Sequence, residues 1–331
     1  MIKAGIIGTG IGLKHFEAIN NYRGSKVVCI LEKDKKKAKI LKKKFQSVDI
    51  VTDENIFFKY KNLNLISIAS YDEDHYLQIL KSIKKNCHII VEKPVCLSQS
   101  QLKKIKQELK KKPQIKLISN LVLRENTLFK KVKSKINIKD VYHIDASYLW
   151  GRKEKLFEWR SKTKDYSLTL GAAIHILDLV CWMLGSMPIT VITKTSKKMT
   201  KNTKFKKFSF ATYIFTFRNN VIVNLKADGV CVHPHFHEFK VFQKKHTFIS
   251  NLNGQFEVKK RGGVKNKIIK TTYEYPDKKN RKNLIRKFLN TILNKTAPLI
   301  SKKCLFDLMT ACFYADLSQK KGKELKINYL K

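Results

Sequence analysis

The chain predicts an α/β protein: a doubly wound, mostly parallel sheet at the N-terminus, followed by an α+β domain. Three observations carry this. Between residues 2 and 121 short apolar runs alternate with helical stretches rich in lysine. The first apolar run ends in the glycine-rich turn Gly8-Thr9-Gly10-Ile11-Gly12. Beyond residue 140 strand-like runs follow one another, two of them joined by a turn at Asn219-Asn220, with three helical segments between and after them.

The elements follow in order. Residues 2–7 are short, apolar and end at glycine, which reads as a buried parallel strand. Residues 13–21 read as a helix, 26–31 as a strand, 63–69 as a strand, 75–84 as a helix and 87–91 as a strand. A lysine-rich helix at 102–111 and a strand at 115–121 complete the alternation. The boundary is placed after this strand, between residues 121 and 124, giving domains 1–122 and 123–331. In the second, strands are expected at 141–150, 191–195, 208–217, 221–227 and 238–242. Helices are expected at 173–184, 281–293 and 305–317.

The turn points to a dinucleotide. Gly8 permits a tight turn, Gly10 lets backbone approach a pyrophosphate, and Gly12 lets the helix pack on the strand. Thr9 and Ile11 complete the loop, and the helix N-terminus offers free N–H groups to an anion. The third glycine stands one residue earlier than the usual G-x-G-x-x-G. The second strand ends in Glu32, twenty residues after Gly12, where a carboxylate bonds a ribose 2′-hydroxyl. It would repel a 2′-phosphate and so favours NAD over NADP; Lys33 and Lys35 beside it can reverse that preference. Ligands of such sheets bind at the carboxyl ends of the strands. Ser70, His75, Glu92, Lys93 and Pro94 stand at or just after such ends and join the cofactor-binding set.

Composition bounds the partners. The chain has 331 residues, enough for two cores, and is 43% hydrophobic. No stretch approaches a membrane span, and no basic-then-apolar leader opens the sequence. Seven scattered cysteines without a C-x-x-C pair suggest reduced thiols and a cytoplasmic setting. The net charge of +43 suggests nucleic acid at first sight. Yet the lysines spread over separate helices, and no recognition motif organises them; they read as solvated surface. Such a field still draws anionic ligands.

Two clusters in the second half carry possible chemistry. Arg152, Lys155 and Arg160 accompany Trp150 and Trp159, a set suited to a sugar ring and to a phosphate or carboxylate. His233-Pro234-His235-Phe236-His237 places His235 and His237 on one strand face. Two or three imidazoles fall short of a closed metal site, so no metal is expected and His235 is assigned to substrate or subunit contact.

Taken with Ile89-Ile90-Val91-Glu92-Lys93-Pro94 and Gly171-Ala172-Ala173-Ile174-His175-Ile176-Leu177-Asp178, the glycine turn resembles the Gfo/Idh/MocA family of nicotinamide-dependent oxidoreductases. His15, Tyr148 to Arg152, Trp159-Arg160 and the tail from Ala315 to Gly322 add to the resemblance, which spans nearly the whole chain. It implies an N-terminal Rossmann domain, and a second domain with a large, open, mostly antiparallel sheet for substrate and oligomerisation. It implies that Lys93 stands near the nicotinamide, that Pro94 follows a cis bond, and that His175 is catalytic or orients substrate. The implied substrates are sugars, cyclitols or nucleotide sugars, with a role in surface-glycan synthesis among the expectations, and the implied assembly is a homo-oligomer, dimer or tetramer. Arg124, Tyr148, Trp150, Arg152, Trp159, Arg160, Asp178 and His235 form the expected substrate set.

Chemistry supports the pairing of Lys93 with His175. Oxidising an alcohol sends a hydride to nicotinamide and a proton to a base. Histidine titrates near neutrality, and an ammonium group stabilises a developing alkoxide. Either residue can serve as the base. Asp178, three residues after His175, either orients the imidazole or bonds backbone. One departure stands out: the family commonly carries aspartate four residues before the histidine, as D-x-G-x-H, and here that residue is Gly171. Asp165 or Asp178 can substitute, or His175 and Lys93 act alone. The gap also keeps open a non-catalytic sensor or scaffold, with a basic nucleic-acid-binding protein behind it.

Overall fold

Apolar runs too short for helices become strands buried on both faces when helices cover them. The computed structural model describes residues 1–163, 166–260, 266–271 and 279–330. The chain divides into two units, Met1–Val122 with Lys278–Phe306, and Leu123–Asp277 with Asp307–Lys331.

The first unit alternates β1 (Ile2–Ile7), α1 (Gly12–Asn20), β2 (Ser25–Leu31), α2 (Lys35–Lys44), β3 (Asp49–Val51), α3 (Glu54–Lys59), β4 (Leu65–Ile68), α4 (His75–Lys84), β5 (His88–Val91), α5 (Gln99–Lys111) and β6 (Leu117–Ser119). Among the described residues these strands pair in parallel in the order β3-β2-β1-β4-β5-β6. The order reverses between β1 and β4, the switch point at which doubly wound sheets bind ligands. Asp34, Asp53 and Ser98 cap α2, α3 and α5 by accepting bonds from backbone N–H groups.

The second unit contains α6 (Thr127–Lys135), β7 (Val141–Leu149), the short α7 (Glu154–Phe157) and α8 (Trp159–Lys162), and α9 (Ile174–Leu184). The strands β8 (Thr190–Ser196), β9 (Phe210–Thr216), β10 (Ile222–Asp228), β11 (Phe236–Gln243), β12 (His246–Asn251), β13 (Gly254–Lys260) and β14 (Asn266–Thr271) follow. Then come α10 (Asn280–Leu293) and α11 (Lys302–Lys321), with β15 (Leu325–Lys326) last. The described strands form one sheet in the order β14-β13-β12-β11-β7-β10-β9-β8-β15, antiparallel except for β7 beside β10. Alternation sets its faces: Ile144, Ala146 and Tyr148 of β7 are buried with Val223, Leu225 and Ala227 of β10. Phe129 of α6 packs edge-on against Phe239 of β11 at 5.8 Å.

The first break falls after Val122, but residues 278–306 return to the first unit instead of staying with the second. The apolar stripe of α10 (Leu284, Ile285, Phe288, Leu289) is buried. Its polar edge holds the first unit: the Tyr22 hydroxyl donates to Asn290 Oδ1 at 3.2 Å, and Lys116 Nζ to the Thr291 carbonyl at 2.6 Å.

Candidate functional site

In the first unit, Gly8 has φ +83°, and a Cβ there would lie 2.5 Å from the Ala69 carbonyl oxygen. Only glycine fits this close approach of β1 to β4. At Gly12 a Cβ would press on Ile6 and Ala69 at 3.1 and 3.3 Å. Gly10 differs: a Cβ would meet nothing within 4 Å. No packing inside the protein calls for glycine there, whereas a ligand seated on bare backbone does. The start of α1 agrees, since it has no side-chain cap and no acidic residue in its first turn. These features fit a pyrophosphate.

Glu32, at the end of β2, accepts a hydrogen bond from the Thr9 hydroxyl and, through Oε1, one from Asp34 N at 2.9 Å. These bonds hold the carboxylate beside the glycine turn. Lys33 turns to other acids: its Nζ lies 3.2 Å from Asp74 Oδ2 and 3.6 Å from Glu54 Oε2. Lys81 shares Glu54 at 2.8 Å.

The strand ends after β4 and β5 are tied from beneath. His75 is fully buried; its Nδ1 lies 2.7 Å from the Pro94 carbonyl and its Nε2 3.3 Å from that of Ser70. The Ser70 hydroxyl donates to Gln78 Oε1 at 2.6 Å. His15 bridges Ser67 Oγ at 2.7 Å and Glu92 Oε1 at 3.1 Å, and Asn120 Nδ2 donates to the same oxygen at 2.5 Å. Burial pushes the Glu92 carboxyl up, but the His15 hydrogen bond and charge, helped by Arg281 and Lys93, bring it down to about 2. The side chains of Glu92 and His75 thus anchor the loop that carries Lys93, whose peptide bond to Pro94 is cis. Nothing local in the sequence marks Asn120 and Arg281, 28 and 189 residues from Glu92, as members of this network.

In the second unit the rings gather around Tyr148, at the end of β7. Strand register sets His237 opposite Tyr148, ring centroids 4.6 Å apart. His235 Nε2 lies 3.2 Å from the Tyr148 hydroxyl, and the His235 and His237 rings meet edge-on at 5.2 Å. His175, at the start of α9, stacks on Tyr148 at 6.1 Å with an interplanar angle of 11°. His233 packs instead against Phe236. Burial, with the charges of Arg152 and Lys155, lowers His235 to about 4; burial drives His237 well below the usual histidine range. Burial raises Tyr148 to about 12 against the pull of Arg152 and Arg160. At neutral pH His235 and His237 are therefore uncharged beside a protonated phenol.

Other members of the expected substrate set are engaged elsewhere. Arg124 and Asp178, 4% and 1% exposed, form a bidentate pair, Nε to Oδ2 at 2.9 Å and Nη2 to Oδ1 at 2.6 Å. Asp178 therefore answers to Arg124, and not to the imidazole or the backbone as expected from its spacing. Its burial outweighs the guanidinium and raises its carboxyl. The Arg160 guanidinium lies 4.3 Å from the Trp159 ring centre and 5.0 Å from that of Trp150, so both indoles stack on arginine and not on an open face. Arg152 is exposed. Asp165 lies outside the described residues.

A residue the sequence reading left aside is Asp316 of α11. It accepts from Ser167 Oγ at 2.6 Å and Thr169 Oγ1 at 2.5 Å, and Thr169 Oγ1 also lies 2.9 Å from the Tyr213 hydroxyl. These bonds fasten the π-helical turn Thr169–Ala173 that leads into His175. Asp316 belongs to the tail Ala315 to Gly322, where nothing local marks this role.

Comparison with known proteins gives the same division. A family profile described as "Oxidoreductase family, NAD-binding Rossmann fold" matches residues 2–120, and one described as "GFO/IDH/MocA C-terminal domain" matches residues 130–249. Among solved structures, myo-inositol 2-dehydrogenase from Lactobacillus plantarum is 16% identical, with TM-score 0.82 over 99% of both chains. Scyllo-inositol dehydrogenase from Lactobacillus casei, solved with NAD(H) and scyllo-inositol, is 16% identical, with TM-score 0.79 over 98% of this chain and 99% of that one. UDP-N-acetylglucosamine 3-dehydrogenase from Acidithiobacillus ferrooxidans is 17% identical, with TM-score 0.80 over 97% and 98%. A curated relative, oxidoreductase cns1 of Cordyceps militaris, is 25% identical over 191 residues, 56% of this chain and only 24% of its own length. No helix among the described residues is long and apolar enough to cross a membrane.

Proposed function

We propose, on the premise that this chain belongs to the Gfo/Idh/MocA family of NAD(P)-dependent oxidoreductases, that it moves a hydride between NAD and a hydroxyl or keto carbon of a sugar, cyclitol or nucleotide sugar. The observation that carries the cofactor half is Gly10, a glycine with no internal reason to be one, at an uncapped helix start and on the same turn as Thr9, which bonds Glu32. Gly8 to Gly12 hold the pyrophosphate and Glu32 the ribose diol. Lys33 is drawn to Asp74 and Glu54 and away from a 2′-phosphate, which supports NAD over NADP even with Lys35 exposed nearby. The bound nicotinamide supplies the hydride acceptor or donor.

The chain's own residues handle the proton. His175 takes it from the substrate hydroxyl, and Lys93 stabilises the developing alkoxide. Neutral His235 and His237 let Tyr148 act as a hydrogen-bonding wall without adding charge beside His175. Exposed Arg152 and Lys155 suit an anionic group on the substrate, which favours a nucleotide sugar and a place in surface-glycan synthesis. The solved relatives that act on inositols and on UDP-N-acetylglucosamine support this class. Gly171 favours a second reading, a cofactor-binding sensor without turnover.

The test is a panel of inositols, free sugars and nucleotide sugars with NAD or NADP, following the absorbance of the reduced cofactor. Turnover with NAD on one class is expected. NADH binding without turnover on any class would favour the sensor. Failure to bind either cofactor would end the proposal. We further propose a cytoplasmic homo-oligomer: all seven cysteines are free thiols, and Ile214 and Ile222 are exposed on the sheet of the second unit. Sedimentation of a pure monomer would contradict the assembly.

A further inference from the structure

We propose that Tyr166 is a positioning residue for His175, supplying from the segment before α9 the polar group that Gly171 lacks. This rests on the reading of His175 as the proton-transferring residue. Residue 171 precedes His175 by four positions, close to one helical turn. A side chain there would share the imidazole's face, with Cβ atoms roughly 6 Å apart. Gly171 leaves that space to another residue. The Tyr166 hydroxyl oxygen lies 2.1 Å from the point a Cβ would occupy, with Cζ at 2.6 Å and Cε2 at 3.0 Å. Glycine at 171 and tyrosine at 166 are therefore one device: any larger residue at 171 would displace the phenol.

The phenol is held in place from several sides. Its oxygen is buried. Its ring meets the fully buried Phe205 edge-on, centroids 5.5 Å apart. The next residue, Ser167, donates to Asp316, and Ser167 O accepts the Gly171 N–H at 2.9 Å. Thr169, also bound to Asp316, fixes the start of the π-helical turn. Tyr166 and Gly171 are thus joined through a short clamped segment, with the hydroxyl at the place from which a side chain at 171 would start.

The chemical consequence lies in charge. Among the described residues, Tyr148 on β7 stacks on His175 and the charge of His175 reaches His237 on β11; Asp178, on its own helix, is taken by Arg124. A carboxylate at 171 would stabilise the imidazolium and raise its pKa. A phenol can donate to the neutral ring or accept from the protonated one without adding charge. It can orient the imidazole without placing a negative charge beside it.

The test reads the His175 titration by NMR of histidine-labelled protein, with the signal assigned from a His175→Gln variant, beside NADH affinity and turnover. Tyr166→Phe removes only the oxygen. It should move the His175 midpoint by about half a pH unit or more and cut turnover by roughly 10-fold with NADH affinity unchanged. The double variant Tyr166→Ala, Gly171→Asp moves the polar group onto the helix. It should raise the midpoint by about one unit or more and recover part of the lost turnover. If Tyr166→Phe does not fold, Gly171→Ala, which pushes the hydroxyl aside, serves with the same readouts. A His175 midpoint equal to the wild type in the folded variant overturns the proposal. The titration needs no substrate, so a wild-type protein without turnover would sink the oxidoreductase reading and leave this test standing.

Discussion

The first unit offers its ligand mainly backbone, three glycines and an uncapped helix start, with one carboxylate beside them. The second unit offers packed side chains, a phenol with three imidazoles around it. A backbone site demands particular residues where no side chain fits. A ring cluster demands only that distant residues meet. The first kind is therefore fixed by local stereochemistry, and the second by the register of β7 against β11 and the placement of α9.

The largest effect should come from removing the two proton-handling groups. Lys93→Ala and His175→Ala should each lower turnover by about 10²-fold or more, at near-constant NADH affinity, because both leave the glycine turn and its pyrophosphate contacts intact. Steady-state kinetics beside fluorescence titration checks this. Unimpaired turnover in both variants would break the division of labour.

The first unit's network should show itself in acid. Glu92 has its carboxyl lowered to about 2, so its contribution is complete above the ordinary carboxyl range and is lost as pH falls from there toward 2. Glu92→Gln should cost on the order of 2–3 kcal/mol at neutral pH and flatten this part of the acid limb in denaturant titrations. An acid limb identical to the wild type would remove Glu92 from the account.

Gly10 sharpens the contrast with Gly8. Gly10→Val adds a side chain to open space, so Tm should stay within about 2 °C while NADH affinity falls by roughly 10-fold or more. Gly8→Ala, strained by its positive φ and by the Ala69 carbonyl, should lose about 1–3 kcal/mol of stability as well as binding. Equal destabilisation by both would mean that Gly10 serves the fold. The smallest effect belongs to Lys33. Asp74→Asn should release it and shift preference toward NADPH by only about 2- to 5-fold, since exposed ion pairs are weak.

Most strands of the first unit were legible because burial on both faces leaves continuous Ile and Val runs, as in Leu65–Ile68 and His88–Val91. The three-residue β3 and the strands β12 to β14 at one end of the sheet left no comparable pattern. Around the candidate site, alternation predicted that His235 and His237 share a face, but nothing local could say that Tyr148, some ninety residues earlier, lies between them and His175. The same holds for Arg124 with Asp178, 54 residues apart, and for Ser167 with Asp316, 149 apart. Gly171 was visible as a gap in the sequence. That Tyr166 fills it could be seen only once the π-helical turn had brought them together. Aspartate added at 171 alone would be no clean test, because the new Cβ would meet the phenol at 2.1 Å.

The most direct test of the central claim follows the hydride itself. The substrate class found in the panel would be supplied with deuterium on its ring carbons and incubated with NAD and the wild-type protein, and the reduced cofactor analysed by mass spectrometry. Cofactor carrying one deuterium, with none formed by the Lys93→Ala, His175→Ala double variant, is the predicted result. Reduced cofactor without deuterium, or equal formation by the double variant, would contradict direct transfer at this site.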